Sequence, residues 1–343
     1  MHNALVQQPL EHHQVFSKFR RWSGRVAAGR HSDFLGSTLR ASFHASPDPN
    51  ERFEAPSYPP FDEEYFEWID LLEAVLLANE RFTMLELGAG YGRWTARSAA
   101  AARQRGLFYR LVAVEAEPTH FAWLQQNLQD NGVDLANCRL VHAAVTGSDG
   151  KVCFDVGDPA GYGRAIGGTT EIDAVSLRAL LLPLDLADLI DLDVQGAELD
   201  ILTAATEALN QKVRRAHIET HSDQLHADVL RYFRRLGWQP HFLFEGDTRD
   251  TTPWGRINFQ GGIQSWLNPC LHSADELLAA PLLQNSLGRR SLTKGRRALD
   301  HIAPVGSARR RACAKLMSPF VSKYRRDPQD EAQRPMYWHQ PVR

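Results

Sequence analysis

Three glycines alternate behind one carboxylate in the run Glu86-Leu87-Gly88-Ala89-Gly90-Tyr91-Gly92. Glycines at this spacing let the backbone come close to a ligand, and the acid ahead of them repels a phosphate and attracts a cation. The dinucleotide fingerprint GxGxxG needs glycine at position 93, where Arg93 stands, so its spacing fails by one residue. A P-loop is excluded because neither Gly-Lys-Ser nor Gly-Lys-Thr follows. What fits is a cationic sulfonium ligand with an amino-acid tail. Glu115, 23 residues past Gly92, stands where a carboxylate accepts two hydrogen bonds from a ribose diol, a feature common to nicotinamide and methyl-donor sites.

A second group of acids follows. Asp191-Leu192-Asp193-Val194-Gln195-Gly196 ends a strand-like run, and Glu198 falls in the first turn of the next helix, where an acid suits the dipole. His217-Ile218-Glu219-Thr220-His221 ends the following strand. An acceptor hydroxyl must lose its proton to become a nucleophile, and His221 is the expected base, oriented by Glu219 or Asp193, because imidazole takes a proton near neutral pH. Asp191 and Asp193, with Glu219 and His221, also offer oxygen and nitrogen ligands for Mg or a similar ion. The bland alternative is a strand with a capped helix and a hydrogen-bonded structural histidine. In the glycine-rich loop over residues 156–170, Tyr162 and Arg164 are candidates to stack on or hydrogen-bond a substrate, the alternative being a disordered surface hairpin.

Alternating strands and helices must position these groups. Strand patterns fall at 82–87, 109–115, 138–145, 149–156, 187–194 and 214–220, with further strands near WQPHFLFE and GRINFQGGIQSWL, and helical patterns lie between them. Such alternation predicts an α/β fold with a mostly parallel sheet covered on both faces, with ligands at the carboxyl ends of the strands. Asp62 is the expected cap of a helix over EEYFEWIDLLEAVLLANE. Upstream, Phe16, Phe19, Trp22 and Val26 recur at helical spacing among basic residues, predicting a basic amphipathic helix before a proline-rich linker. The expected division is 1–60 as N-terminal extension, 61–270 as main domain and 271–343 as basic C-terminal extension.

The segments LELGAGYGRW, VAVEAEPTHFAWLQQNLQDNG, LVHAAVTGSDGKVCF, IDLDVQGAELDIL and HIETHS, in that order across residues 82–222, resemble the FkbM family of S-adenosylmethionine-dependent methyltransferases. The resemblance implies a Rossmann-like class I methyltransferase domain with a seven-stranded sheet, helices on both faces, and O-methylation of a sugar hydroxyl on a glycan or glycosylated natural product. It also implies that Glu86, Gly88, Gly90 and Tyr91 line the methionine pocket, that Glu115 and Ala116 serve the ribose side, and that Ala143 and Ala144 pass beside the adenine. Two departures stand out. The family usually opens with Asp-Val-Gly-Ala-Asn, where this chain has Glu86 and Gly90; and it usually has Lys-Ile-Asp-Val-Glu-Gly, where this chain has Asp191-Leu192-Asp193-Val194-Gln195-Gly196. N-methylation of a peptide or amino sugar, and a non-catalytic binding module of the same fold, are the alternative readings.

Composition sets the outer bounds. At 343 residues, 43% hydrophobic and with net charge -2, the chain has material for a large core and no global field toward nucleic acid. Charge concentrates in the tail: residues 289–326 hold twelve Lys and Arg against the single acid Asp300, a surface for an anionic partner without specific nucleic-acid recognition. Four scattered cysteines and the absence of an apolar leader suggest a reduced, cytoplasmic setting, and a homodimer is compatible with this reading.

Overall fold

The computed structural model describes residues 11–44, 49–156 and 166–285. Arg81–Leu87 (β1), Phe108–Glu115 (β2), Cys138–His142 (β3), Ala187–Leu192 (β4), Val213–Thr220 (β5), Gln239–Phe244 (β6), Gly262–Leu267 (β7) and Leu283–Gln284 (β8) form one sheet in the order β8-β6-β7-β5-β4-β1-β2-β3. Neighbours are parallel except β7, which runs antiparallel to both β5 and β6. The sheet therefore has eight strands where the sequence predicts seven. The extra one, β8, has two residues and no readable periodicity, and it comes from the segment assigned to the C-terminal extension. The run GRINFQGGIQSWL is also not one strand: Gly255–Phe259 folds back on Thr248–Thr252 as a hairpin, and β7 begins only at Gly262.

The central strands β1, β2, β4, β5 and β7 are buried on both sides, which their apolar content allows, while the edge strands β3 and β8 are more exposed. Glu64–Leu77 (α1), Arg93–Gln104 (α2) and Pro118–Asp130 (α3) cover one face, packing on Phe82, Met84, Leu111, Ala113 and Leu189. Glu198–Ala204 (α4), Thr206–Lys212 (α5) and Asp223–Leu236 (α6) cover the other, packing on Leu85, Leu87, Ile190, Leu192 and Ile218. Alternation along each strand then sends Glu86, Asp191, Arg215, His217 and Glu219 to the α1 side. No helix among the described residues is long and apolar enough to cross a membrane.

The N-terminal region is not the expected amphipathic helix. Only Gln14–Lys18 makes a short 3-10 turn; Gly24–Val26 then pairs with Arg52–Glu54, and Arg30–Ser32 with Thr38–Arg40. Gly29, at φ 73, belongs to the turn that leads into the second pair and interrupts any helix through this stretch. The aromatic stripe still reaches the core: Phe16 and Phe19 are buried with α1. Part of the expected linker is thus a strand partner. Asp62 does not cap α1 either. The residue before the helix is Glu63, itself helical and without a side-chain cap, while the Asp62 carbonyl accepts from Tyr65 N. Tyr162, Arg164 and the basic tail lie outside the described residues.

A buried ionic network ties α1 to the sheet. The fully buried Asp70 takes His217 Nδ1 at 2.7 Å on one oxygen, and Ser265 Oγ at 2.7 Å with the Arg215 guanidinium on the other. Arg215 also reaches Glu73 at 2.8 Å. Burial works against the Asp70 charge, but Arg215, His217 and His241 hold the carboxyl well below the usual carboxylate range. Removing one partner of such a set strands the remaining charge. Asp70→Ala is expected to cost about 3–5 kcal/mol, read as a lowered urea midpoint, and a loss below about 1 kcal/mol would show that Glu73 alone neutralises Arg215.

Candidate functional site

The glycine turn leaves β1 at the carboxyl edge of the sheet. Gly88 and Ala89 N–H both donate to the Val114 carbonyl of β2, and Asp193 N–H donates to the Leu87 carbonyl, so the loops after β1, β2 and β4 are joined by backbone. Gly88 has φ +87, and a Cβ added there would lie 1.8 Å from the Asp193 carbonyl oxygen. Gly92, at φ +69, starts α2, and a Cβ there would lie 2.0 Å from Leu124 Cδ1 of α3. The α3 side chain Asn127 holds this turn from behind, donating to the Tyr91 carbonyl at 3.0 Å.

Glu86 does not form an open wall of a pocket. It is buried, and both its oxygens accept from the first turn of α2: Trp94 N at 3.2 Å on one, Thr95 N at 2.7 Å and the Thr95 hydroxyl on the other. It is a buried cap rather than a direct partner for a cation. Burial and the neighbouring Asp191 push its carboxyl up to about 8. Glu115 occupies the matching position on β2, its oxygens accepting from Gly90 N at 2.6 Å and Glu117 N at 2.7 Å. Burial pushes it up to about 7. Each of its oxygens keeps a second lone pair for a further donor. Beyond it, the buried alanines Ala116 and Ala144 form a small apolar patch with Phe154, and Ala143 N–H donates to the Glu115 carbonyl. Tyr91 is buried against Phe43 and His44 of the N-terminal region.

On the other side of the turn, His221 stands just past β5, before the Ser222 cap of α6. Its Nδ1 lies 3.0 Å from Glu198 Oε1, and its Nε2 lies 3.2 Å from Asp193 Oδ1, close but poorly aligned. Burial favours the neutral ring, but the Asp193 and Glu198 contacts outweigh it and raise His221 to about 10. The ring is therefore an imidazolium at neutral pH and not the expected base. Of the two expected orienting acids, Asp193 does contact the ring. Glu219 is instead packed against the loop after the hairpin, where a Cβ added at Gly261 would lie 2.5 Å from its Oε1. Burial and the Asp193 charge raise the Glu219 carboxyl well above its usual value, so it too is a poor proton acceptor. Asp193, with its side chain 42% exposed, is the carboxylate left at the opening, and Gln195 Nε2 donates to its Oδ1 at 2.7 Å.

Asp191 is separated from this trio by partner as well as position: it is hydrogen-bonded to Glu67 of α1. The one group of metal-type donors among the described residues is Asp193, Glu198 and His221. Both ring nitrogens there already face carboxylates, so a cation would have to displace the imidazolium proton, and the expected Asp191–Asp193 metal pair is not supported. Sequence reasoning missed Glu198, Glu67, and Glu63, which accepts from Gln260 N and Gly261 N. A lone acid two residues past Gly196 carried no sign of pointing back toward His221.

Residues 86–240 match the model for a methyltransferase FkbM domain. A protein of Jannaschia sp. (strain CCS1) named "Putative methyltransferase" is 27% identical over 189 residues, covering 50% of this chain and 67% of the relative. The crystal structure of methyltransferase FkbM from Methylobacillus flagellatus KT is 18% identical with a TM-score of 0.40, covering 55% of this chain and 45% of that one, so the match spans under half of that protein. Precorrin-6y C5,15-methyltransferase from Geobacter metallireducens GS-15 is 14% identical with a TM-score of 0.36, covering 59% and 86% of the two chains. The matched stretch contains the glycine turn, Glu115, Asp193, Glu198 and His221, and it starts after the N-terminal region that packs on Tyr91.

Two outcomes test this geometry. Gly88→Ala is expected to unfold the edge of the sheet or push the Asp193 loop outward, read as a drop in thermal midpoint of several degrees; an unchanged midpoint would mean the loops are not in contact. A carboxyl raised in the folded state costs stability as pH rises from its unfolded value through its folded one. Glu86→Gln is therefore expected to flatten the decline in stability between about pH 4.5 and 8, measured as thermal midpoint against pH beside the parent protein.

Proposed function

We propose that the chain is an S-adenosylmethionine-dependent O-methyltransferase acting on a hydroxyl of a glycan or glycosylated metabolite. The observation that carries this reading is the joining of the glycine turn to the Asp193 loop through Gly88, which sets a donor side (Glu115, Ala116, Ala143, Ala144) next to an acceptor side (Asp193, His221). Bound S-adenosylmethionine supplies an electrophilic methyl group. On the donor side, the second lone pairs of Glu115 accept from the ribose hydroxyls, and the apolar patch around Ala116 and Ala144 suits a flat base.

On the acceptor side, the hydroxyl oxygen forms its bond to the methyl carbon as the sulfur–methyl bond breaks, and the hydroxyl proton passes to Asp193. The His221 imidazolium stays charged throughout and stabilises the Asp193 carboxylate in the orientation that meets the hydroxyl. Holding both reactants in one geometry provides much of the rate of such a displacement. One observation favours a second reading: the half-exposed Asp193 carboxylate at the opening would attract an amine acceptor.

Calorimetric titration with S-adenosylmethionine is expected to show one-site binding, and its absence from well-folded protein would sink the reading. Glu115→Ala is expected to weaken that binding by about 1–3 kcal/mol. Mass analysis of sugar and amine panels incubated with the donor separates the acceptors, since methylated amine alone would replace the hydroxyl reading by the second one.

A further inference from the structure

Glu198 is the least accessible charged group of the site and the one with the least obvious reason to be there. It is fully buried in the first turn of α4, a seven-residue helix. Its Oε1 takes both Gly196 N at 3.1 Å and His221 Nδ1 at 3.0 Å, while Oε2 is buried without a partner among the described residues. A buried carboxylate left half-satisfied is costly, and an acid meant only to favour the helix dipole gains as much at the surface.

The orientation of the imidazole gives the reason. With Nδ1 bound to Glu198, Nε2 is the nitrogen turned toward Asp193 Oδ1 at 3.2 Å, and it too is buried. The ring lies between a fully buried carboxylate and a half-exposed one. The groups that face it are Glu198 from α4, Asp193 from the loop after β4 and Glu219 from β5; these carboxyls outnumber the single cation they surround. Gln195, at φ 60, and Gly196, at φ 114, form the left-handed turn that brings Glu198 back beneath Asp193. Backbone in that region is unfavourable for Gln.

We propose that Glu198 is a positioning residue of the acceptor site: through its contact with Nδ1 of His221 it fixes which ring nitrogen faces Asp193, and so holds in place the group that braces Asp193. The inference rests on the methyl-transfer reading for its consequence, but not for its physical content. Glu198 is fully buried and acts through the ring, which without it would be free to turn over.

The test follows the ring directly. Nitrogen-15 NMR of the histidine rings, assigned by His221→Asn, is expected to show His221 protonated on both nitrogens at pH 8 in the parent protein. In Glu198→Gln, a change that keeps size and one acceptor, the His221 midpoint is expected to fall by at least one pH unit and the neutral ring to appear by pH 8. Glu198→Asp is expected to restore a midpoint nearer the parent's. With a competent acceptor, Glu198→Gln is expected to lower kcat about 100-fold, the lower end of what positioned proton-transfer groups contribute, and to move the pH profile with the ring's midpoint while donor affinity stays unchanged. A parent ring neutral at pH 7, or a midpoint unmoved in Glu198→Gln, overturns the proposal; should Glu198→Gln fail to fold, Glu198→Asp decides it through the same midpoint. These spectra need no donor or acceptor, so a chain that transfers no methyl group would fail the functional reading and leave the role of Glu198 decided on its own.

Discussion

The site depends on one close approach, that of Gly88 to the carbonyl oxygen of Asp193. Nothing larger than hydrogen fits between them, and the backbone bonds from Asp193 to Leu87 and from Gly88 to Val114 join the loops after three neighbouring strands. In an open parallel sheet the carboxyl edge is where loops diverge and ligands enter. Here two of those loops are held in contact, so Glu115 and Asp193, two strands apart in the sheet, belong to one rigid rim. A small displacement on one side is then felt on the other, because packed backbone has no soft direction in which to absorb it.

The second constraint is the concentration of charge on one face. Alternation along β1, β4 and β5 sends Glu86, Asp191, Arg215, His217 and Glu219 toward α1, and α1 answers with Glu63, Glu67, Asp70 and Glu73. Deeper in, Asp70 finds Arg215 and two histidines and is held ionised. Nearer the opening Arg93 and Arg97 pair with Glu64, while burial raises Glu63, Glu67, Glu86 and Glu219. The same helix thus holds Asp70 and Glu73 ion-paired with Arg215, while Glu63 and Glu67 near its amino end are shifted toward keeping their protons.

Most of the central sheet was legible in the sequence because its strands are apolar runs bounded by turns, and periodicity is strongest there. The glycine turn, Glu115, Asp193 and His221 were legible because each lies at a strand end with a chemical group that stands out. Roles were less legible than positions. Glu86 was expected to face a ligand, yet its two oxygens are occupied by α2, a contact that depends on where the helix starts in space. His221 was expected to be a base, yet the second carboxylate that makes it a cation comes from α4, 23 residues earlier in the chain. The N-terminal aromatic stripe was legible as buried but not as strand and turn, since a helical spacing of four apolar side chains is also met by short turns pressed against a helix.

The departures from the usual family pattern make physical sense together. Where a glutamate is usual, Gln195 donates an amide hydrogen to Asp193 at 2.7 Å; a carboxylate there would meet Asp193 and Glu198 as a third like charge. Where a lysine is usual, Asp191 lies beside Glu86 on β1 in register and is hydrogen-bonded to Glu67. A lysine would neutralise those acids with a fixed charge. Without it, burial leaves the carboxyls to neutralise themselves by keeping protons, which is the direction in which Glu67, Glu86 and Asp191 are all shifted. The two replacements thus remove one negative charge from the opening and one positive charge from the interior, so that Asp193, held between the Gln195 amide and the His221 ring, is the carboxylate left at the opening.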